Sequence, residues 1–329
     1  MPNRKATAIA CSNIAFIKYW GNRDDALRLP ANPSLSLNLG DLYTTTTVAF
    51  DKGLEKDEVT IDDRPADEAT RARVSGHLDL VRQRAGHHTA GRVVSRNNFP
   101  AGAGIASSAS GFAALTVAAC AAAGLELAEA ELSALARRGS GSASRSVPGG
   151  YTEWVMGKGN ATSFARSVAP PDHWGLRDVV VIVSREHKVV GSSRGHGLAV
   201  GSRLHMSRVA AAPAMLAACK RALLARDLEA MGTLIEQDAV MMHAVMMTSR
   251  PPLYYWLPAT MAVIKAAQGW RAAGLPVYFT IDAGPNVHLI CEAARATEVE
   301  TRARGLPGVL DVLVSRPGGA ARLVEEHLF

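Results

Sequence analysis

A glycine-rich turn leads directly into a long apolar segment between residues 97 and 124. The turn reads NNFPAGAGIASSASG, and residues 112–123 are apolar helix formers that stop before Gly124. Gly102 and Gly104 can take backbone angles closed to other residues, so several amide N–H groups can point at one ligand. The N-terminus of the following helix adds a partial positive charge, and together these features predict an anion site that suits phosphate.

Other interpretations of this turn follow from its spacing. No Lys follows the glycines, so the Walker pattern G-x-x-x-x-G-K-[ST] is not met, and the turn does not read G-x-G-x-x-G after a first strand. The remaining alternative is a helix start of small residues that packs tightly on a sheet. The glycines alone leave the phosphate loop and the packing role both open.

The composition is that of a globular protein with room for two domains. Of the 329 residues, 48% are hydrophobic and 20% are charged. The net charge of +6 is spread over the chain without a Lys/Arg block, which favours anionic small substrates over nucleic acid. The four cysteines lie far apart and form no C-x-x-C pair, so neither a zinc site nor a disulfide framework is expected.

The sequence also bears on location. The first residues, MPNRKATAIA, hold too few apolar residues for a signal peptide, and no stretch approaches an uninterrupted membrane span. From these features we expect a cytoplasmic protein without membrane or nucleic-acid partners.

Hydrophobic periodicity predicts strands and helices arranged as two α+β domains. Strands are predicted at residues 7–10, 35–39, 44–50, 92–95, 277–281, 287–291 and 309–314, with a break after the first at 11–13. Helices are predicted at 74–84, 112–123, 127–138, 206–226, 228–247 and 257–273. The apolar run 179–184 predicts a buried strand that opens a second domain, which divides the chain into 1–178 and 179–329. Irregular spacing of strands and helices favours α+β over a doubly wound sheet.

Three further stretches concentrate polar chemistry. Residues 139–146, GSGSASRS, alternate Gly and Ser before Arg145, and residues 192–195, SSRG, repeat that composition. Hydroxyls, free amides and an Arg fork suit phosphate or carboxylate, although a flexible solvent loop has the same residue types. Asp282 ends a predicted strand before Ala-Gly-Pro-Asn, where it can serve as a general base or as a turn former.

Taken together, these motifs resemble the mevalonate diphosphate decarboxylases, a branch of the GHMP small-molecule kinase superfamily, over nearly the full length. The matching segments are residues 13–15 with 17–21 (NIA, IKYWG), 100–110, 138–146 with Gly149-Gly150, 192–195 and 279–286. The phosphate loop alone would indicate only the superfamily. Five motifs in the family's order indicate the decarboxylase branch.

The resemblance implies the fold and the reaction. It implies a two-domain GHMP kinase fold, with a left-handed β-α-β crossover in the N-terminal domain, a ferredoxin-like C-terminal domain, and the active site between them. It also implies ATP and Mg2+ as cofactors, a phosphorylated mevalonate as substrate, and a homodimer. ATP would phosphorylate the tertiary 3-hydroxyl, and phosphate would then leave together with CO2 to give an isopentenyl product.

The resemblance also assigns roles to residues. Asp282 would take or polarise the 3-hydroxyl proton, Lys18 would neutralise charge on the transferring phosphoryl group, and Arg145 would hold the C1 carboxylate. The implied substrate-binding residues are Asn13, Tyr19, Trp20, Gly21, Asn22, Ser140, Gly141, Ser142, Ala143, Ser144, Arg145, Ser193 and Arg194. The implied ATP-binding residues are Ser95, Ala101, Gly102, Ala103, Gly104, Ala106, Ser107 and Ser108, and Ser107 would meet Mg2+ through the ATP phosphates.

One position departs from the family pattern. Where the diphosphate-using enzymes usually carry Lys after Tyr-Trp-Gly, this chain has the neutral Asn22. A lost charge-assisted hydrogen bond is worth roughly 1.5–3 kcal/mol, which should weaken diphosphate binding more than monophosphate binding. Residues 254–260 and 317–321 are also similar to the monophosphate-specific decarboxylases. The sequence therefore favours mevalonate 5-phosphate as substrate, with the 5-diphosphate as the alternative.

Two other classes of function compete with decarboxylation. A mevalonate 3-kinase of the same superfamily would stop after phosphotransfer, and only CO2 release distinguishes it. A ligand-sensing regulator without catalysis is the other class. The combination of Arg145, Lys18 and Asp282 favours a complete decarboxylase over both.

Overall fold

Two large sheets and the helices on them make up the fold. The computed structural model describes residues 5–99, 107–186 and 190–329, apart from the side chain of Ser193. In chain order the strands are β1 (Lys5–Ile17), β2 (Asn22–Asp24), β3 (Leu29–Pro30), β4 (Ser34–Phe50), β5 (Glu58–Ile61), β6 (Arg64–Pro65), β7 (Gly91–Asn97), β8 (Tyr151–Trp154), β9 (Ala165–Ala169), β10 (Leu176–Ile182), β11 (Tyr278–Thr280), β12 (Val287–Glu292), β13 (Asp311–Ser315) and β14 (Arg322–Val324). The α-helices are α1 (Glu68–Ala85), α2 (Ser107–Ala122), α3 (Glu129–Gly139), α4 (Ser192–Leu198), α5 (His205–Ala225), α6 (Leu228–Met247), α7 (Pro258–Ala272) and α8 (Ala296–Arg304).

The first sheet is built on the long antiparallel pair β1 and β4. Its order is β14-β1-β4-β7-β5-β6, with β8 beside β4 and β9 beside β8, and only β5 and β7 of its described strands run parallel. The predicted break at residues 11–13 is wrong, because β1 continues through it with irregularities after Cys11 and Ala15. The buried Asn13 stays in the strand since its amide group is bonded to Ser142, Ser146 and Arg145. The two strands predicted at 35–39 and 44–50 are likewise one strand, β4.

Helix α2 packs against β1 and β4 and is buried on nearly every side. Its alanines, among them Ala113, Ala114, Ala118 and Ala119, are all inaccessible to solvent. Small side chains let a helix lie close to a sheet, so the packing role proposed for this segment is real from Ser107 onward. Helix α1 covers the same layer and begins before its predicted start, because Asp67 accepts a hydrogen bond from the Thr70 amide at 2.7 Å.

The second sheet has the antiparallel order β11-β12-β10-β13. One hydrophobic cluster joins the two halves: Phe16 and Leu37 of the first sheet share it with Val180 and Ile290 of the second. The last strand, β14, returns to the first sheet beside β1. The mixed α+β class is confirmed. The division into 1–178 and 179–329 stays a prediction, and β14 of the second segment joins the sheet of the first.

The serine-rich segment after α3 is ordered and buried. Gly141–Ser146 forms a 3-10 helix, in which Ala143, Ser144 and Ser146 are inaccessible to solvent. The flexible-loop alternative for this segment is therefore wrong. No helix in the described parts of the chain is long and apolar enough to cross a membrane.

Candidate active site

A single cleft brings together side chains from both halves of the chain. The residues that line it are Ala15, Lys18, Tyr19, Trp20, Arg28, Ser108, Ser140, Gly141, Ser142, Arg145, Ser192, His196, Met242, Asp282 and Ala283. They come from the ends of β1 and β11, the turn between β2 and β3, the start of α2, the 3-10 helix with Ser140 before it, α4 and α6. The cleft thus collects most of the motifs singled out from the sequence.

An ion pair between Lys18 and Asp282 lies in this cleft. Lys18 Nζ is 2.7 Å from Asp282 Oδ1, and the exposed fractions of the two side chains are 2% and 26%. Burial lowers the pKa of Lys18, against the opposing effect of Asp282. Burial raises the pKa of Asp282, but Lys18, His288 and Arg145 outweigh it and hold that pKa below its usual value. Asp282 is therefore an ionised carboxylate at neutral pH, partly open to the cleft.

The backbone of Lys18 is fixed by a second, deeper ion pair. Its amide donates to Asp238 Oδ2 at 2.6 Å, and its carbonyl accepts from Arg208 Nη2 at 2.8 Å. Asp238 and Arg208 pair with each other at 3.0 Å and are almost inaccessible to solvent. The Asp282 carbonyl accepts a hydrogen bond from His243 Nε2 at 3.1 Å. Both members of the Lys18–Asp282 pair are thus held in place from behind.

Arg145 places a third fixed charge in the cleft. Its Nη1 donates to Ser34 Oγ at 2.9 Å and its Nη2 to Asn13 Oδ1 at 3.1 Å. Burial lowers the pKa of Arg145 to about 10, so the guanidinium is charged at neutral pH. We call Lys18, Asp282 and Arg145 the charged cluster. Asn13 does not line the cleft, and it acts on the site by holding Arg145.

Hydroxyl groups follow the charged cluster along the wall of the cleft. Ser140 Oγ lies 3.3 Å from Ser108 Oγ and 3.4 Å from Ser142 Oγ. Of the predicted residues in this segment, Ala143 and Ser144 do not reach the cleft. Both are fully buried, and the Ser144 hydroxyl donates to the Gly141 carbonyl at 2.9 Å.

An aromatic cluster, Tyr19, Trp20 and His196, forms another part of the lining. The ring of His196 stacks on Tyr19 with centroids 4.1 Å apart and lies 4.6 Å from Trp20. The Gly21 amide donates to His196 Nδ1 at 3.0 Å, which leaves the ring hydrogen of the neutral imidazole on Nε2. Burial, followed by Arg28, Arg145 and Arg208, lowers the pKa of His196 to about 3.

Glycine is required at position 21, in the turn that follows the aromatic cluster. Gly21 has φ 92°, and a Cβ at this position would lie 2.6 Å from His205 Cε1. Asn22 follows, accepts a hydrogen bond from the Tyr19 hydroxyl, and donates to Asp25 Oδ1 at 2.8 Å. Both polar atoms of the Asn22 amide group are therefore engaged within the protein.

The predicted nucleotide residues are only partly within the described chain. Ala101, Gly102, Ala103, Gly104 and Ala106 lie outside the described residues, as does the side chain of Ser193. Ser107 and Ser108 begin α2, and Ser108 lines the cleft. Ser95 lies in β7 with its hydroxyl 2.9 Å from Thr46 Oγ1, and the exposed Arg194 does not line the cleft. Among the described residues, no group of three or more His, Cys, Asp or Glu side chains could hold a metal ion.

Sequence reasoning missed several residues of the site. His196 and Arg28 line the cleft, and Asp238 and Arg208 support it, yet none belongs to a recognisable motif. His196 had a weak signal, because it directly follows the SSRG stretch. Asp238 and Arg208 lie in helical patterns, where a charged residue ordinarily indicates a solvent face.

Two family models match this chain. Residues 10–165 match the diphosphomevalonate decarboxylase-like N-terminal domain, and residues 178–304 match the mevalonate 5-diphosphate decarboxylase C-terminal domain. The chain is 36% identical over 311 residues to the diphosphomevalonate decarboxylase of Candida albicans, which covers 89% of this chain and 86% of that protein. It is also 36% identical to the human diphosphomevalonate decarboxylase, over 87% of this chain and 76% of that protein.

Solved structures resemble the whole chain. Mevalonate diphosphate decarboxylase from Staphylococcus aureus superposes with a TM-score of 0.91 and 34% identity, over 98% of both chains. MDDEF in complex with MVAPP, AMPPCP and magnesium superposes with a TM-score of 0.93 and 35% identity, over 98% of this chain and 99% of that one.

Proposed function

Because the chain belongs to the diphosphomevalonate decarboxylase family, an ATP-dependent family of carboxy-lyases, we propose that its substrate is mevalonate 5-diphosphate and its product isopentenyl diphosphate. The relatives carry this substrate in their names, and MVAPP is bound in the similar MDDEF structure. These similarities favour the 5-diphosphate, so the 5-monophosphate expected from Asn22 and from residues 254–260 and 317–321 is not supported.

The observation that carries the reaction is the Lys18–Asp282 pair in a cleft that also holds Arg145. In the first step, the 3-hydroxyl oxygen attacks the γ-phosphorus of ATP, and the bond from that phosphorus to the β,γ-bridging oxygen breaks so that ADP leaves. The hydroxyl proton passes to a carboxylate oxygen of Asp282. A carboxylate of low pKa is a weak base, so Asp282 acts mainly by polarising the hydroxyl and receives the proton as the new bond forms. Lys18 stabilises the negative charge that moves during transfer.

In the second step, the phosphorylated oxygen leaves C3 as phosphate. The C1–C2 bond breaks at the same time, its electron pair forms the C2=C3 double bond, and C1 leaves as CO2. Arg145 suits the C1 carboxylate, because its guanidinium is fixed by Asn13 and Ser34 and held in a desolvated site. Once the carboxylate has become CO2, Arg145 no longer holds an anion, and the neutral CO2 leaves the site.

The site fits ATP with Mg2+. The described part of helix α2 starts at Ser107, so the positive end of its dipole lies on this side of the cleft, and the Ser108 hydroxyl lines the cleft. Mg2+ commonly keeps waters and phosphate oxygens as ligands, so it needs few protein groups. When bound, the ion would neutralise phosphate charge, and Ser107 is the described oxygen donor that we assign near it.

The experiment is to supply ATP and Mg2+ with either mevalonate 5-diphosphate or mevalonate 5-phosphate, and to measure ADP and CO2 separately. We expect equal amounts of ADP and CO2, with a higher kcat/KM for the diphosphate. ADP without CO2 would identify a 3-kinase. A higher kcat/KM for the monophosphate would restore the expectation drawn from Asn22.

Three predictions remain proposals beside this one. They are a homodimer, a cytoplasmic location and the division of the chain at residue 178. Sedimentation at several protein concentrations tests the first, and expression of residues 179–329 alone tests whether that part folds without β1.

A further inference from the structure

Arg28 is a cation of the cleft whose terminal nitrogen atoms have no hydrogen-bond partner in the part of the chain that the structure describes. Three cations, Lys18, Arg145 and Arg28, line the cleft within the described residues. The terminal nitrogen of Lys18 is engaged by Asp282, and those of Arg145 by Asn13 and Ser34. The side chain of Arg28 donates through Nε to the Arg138 carbonyl at 3.0 Å, and its Nη1 and Nη2 have no hydrogen-bond partner among the described residues.

The backbone at Arg28 is unusual for a long side chain. Its φ is 50°, in the left-handed region that residues with a Cβ rarely adopt. It closes the hairpin formed by β2 and β3, in which Asn22 pairs with Pro30. Asn22 therefore lies on the first strand of the hairpin, and Arg28 is the last residue of its turn, directly before the second strand. Strained residues of this kind are concentrated at functional sites.

The charge of Arg28 acts on the aromatic cluster. Burial raises the pKa of the Tyr19 phenol, and Arg28 is the charged group that most opposes this rise. Burial lowers the pKa of His196, and Arg28 is the charged group that lowers it most. Arg28, Tyr19 and His196 all line the same cleft. Asp25 of the same hairpin accepts a hydrogen bond from Asn22 at 2.8 Å.

The proposed substrate carries an anion that the charged cluster does not balance. Lys18 and Asp282 neutralise each other, and Arg145 is assigned to the carboxylate. A terminal phosphoryl group needs another cation, and a guanidinium whose two terminal NH2 groups have no partner among the described residues matches phosphate as a fork. We propose that Arg28 is a specificity-determining residue that binds the terminal phosphoryl group of the 5-diphosphate, in place of a cation at position 22. This inference rests on the proposed function.

The test compares Arg28→Gln with wild type, using both mevalonate 5-diphosphate and mevalonate 5-phosphate. Calorimetry gives Kd for each ligand, and CO2 release gives kcat and KM. In Arg28→Gln the preference for the diphosphate should fall about 10-fold or more, the size of one lost charge-assisted contact. The KM for ATP and the kcat at saturation should change little.

Two further variants separate binding from structural support. Arg23→Gln removes a charge from the same hairpin at an exposed residue outside the cleft lining, and it should leave the preference unchanged. The double variant Arg28→Gln with Asn22→Lys should recover most of the preference, because it returns a cation to the same hairpin. A residue that merely held the hairpin to Arg138 would weaken both ligands equally and would not be rescued from position 22.

The possible outcomes decide the proposal and the proposed function separately. Equal losses for both ligands, a rise in KM for ATP alone, or an unchanged Kd ratio would overturn the role of Arg28. Because Kd is measured without turnover, that role is decided even if wild type releases no CO2. CO2 release from wild type decides the proposed function independently.

Discussion

The charged cluster and the aromatic cluster lie in the same cleft but are stabilised differently. Lys18 and Asp282 are an ion pair at 2.7 Å, and behind them Asp238 and Arg208 form another at 3.0 Å. In the aromatic cluster, Tyr19 and His196 are neutral rings that stack at 4.1 Å.

Reacting groups need a fixed charge and position, which buried ion pairs provide. Groups that only receive a substrate can rely on shape. We therefore expect changes in the charged cluster to affect turnover and stability, and changes in the aromatic cluster to affect substrate affinity.

The largest effect is expected for Asp282→Asn. This variant keeps the shape of the side chain but removes the charge that polarises the hydroxyl and receives its proton. We expect kcat to fall by about 10²–10⁴-fold while ATP still binds. CO2 release in single-turnover experiments and ATP titration by fluorescence measure the two effects. Near wild-type CO2 release would remove Asp282 from the mechanism.

Asp238→Asn tests whether the charged cluster also supports stability. Arg208 would lose its charged partner in a site that is inaccessible to solvent, and the Lys18 amide would lose an anionic acceptor. Breaking a buried pair by removal of one partner costs about 3–5 kcal/mol of unfolding free energy. Urea unfolding measures this loss. A change below about 1 kcal/mol would show that water or a nearby group replaces the pair.

Arg145→Lys removes the fork but keeps the charge. The single ammonium group of a lysine cannot bond to Asn13 and Ser34 and also make a bidentate contact with a carboxylate. We expect CO2 release to fall about 10- to 100-fold, with ATP affinity nearly unchanged. The matched measurement is the ratio of ADP to CO2, which should rise if phosphotransfer survives. Lost ATP affinity with normal turnover would assign Arg145 to the nucleotide instead.

His196→Phe should have a smaller effect and of another kind. The stack on Tyr19 persists, but the Gly21 amide loses its acceptor and the Nε2–H donor disappears. One neutral hydrogen bond is worth about 0.5–1.5 kcal/mol, so KM for the mevalonate substrate should rise about 2- to 10-fold at nearly constant kcat. Steady-state kinetics measure both constants. A fall in kcat comparable to that of Asp282→Asn would erase the distinction between the clusters.

The smallest effect is expected from pH. Burial is the main cause that lowers the pKa of His196 and of His243 to about 3, so both imidazoles stay neutral far below pH 6. Since the proton would be gained only on acidification toward pH 3, kcat at saturating substrate should be flat between pH 6 and 8. A step near pH 6.5 that vanishes in His196→Phe would contradict this.

Some of the fold follows from local pattern. The period of residues 228–247 matches α6, and the alanine-rich run after the phosphate loop matches most of α2. The short strands β8 and β14 were missed, because three or four residues give too little periodicity to detect. Breaks predicted at polar residues were wrong at Asn13, where a tertiary hydrogen bond satisfies the side chain within the strand.

The sequence by itself determined the family, the α+β class and the identity of the chemical groups, because motifs of Gly, Ser, Arg and Asp are local and keep their order along the chain. Only the tertiary structure brought Lys18 to Asp282, separated by 264 residues, and set Asp238 and Arg208 behind them. It also placed Arg28 in the cleft and buried Ala143 and Ser144 away from it. Charge pairing and burial depend on which surfaces meet when the two halves pack, and that information is not contained in any single stretch.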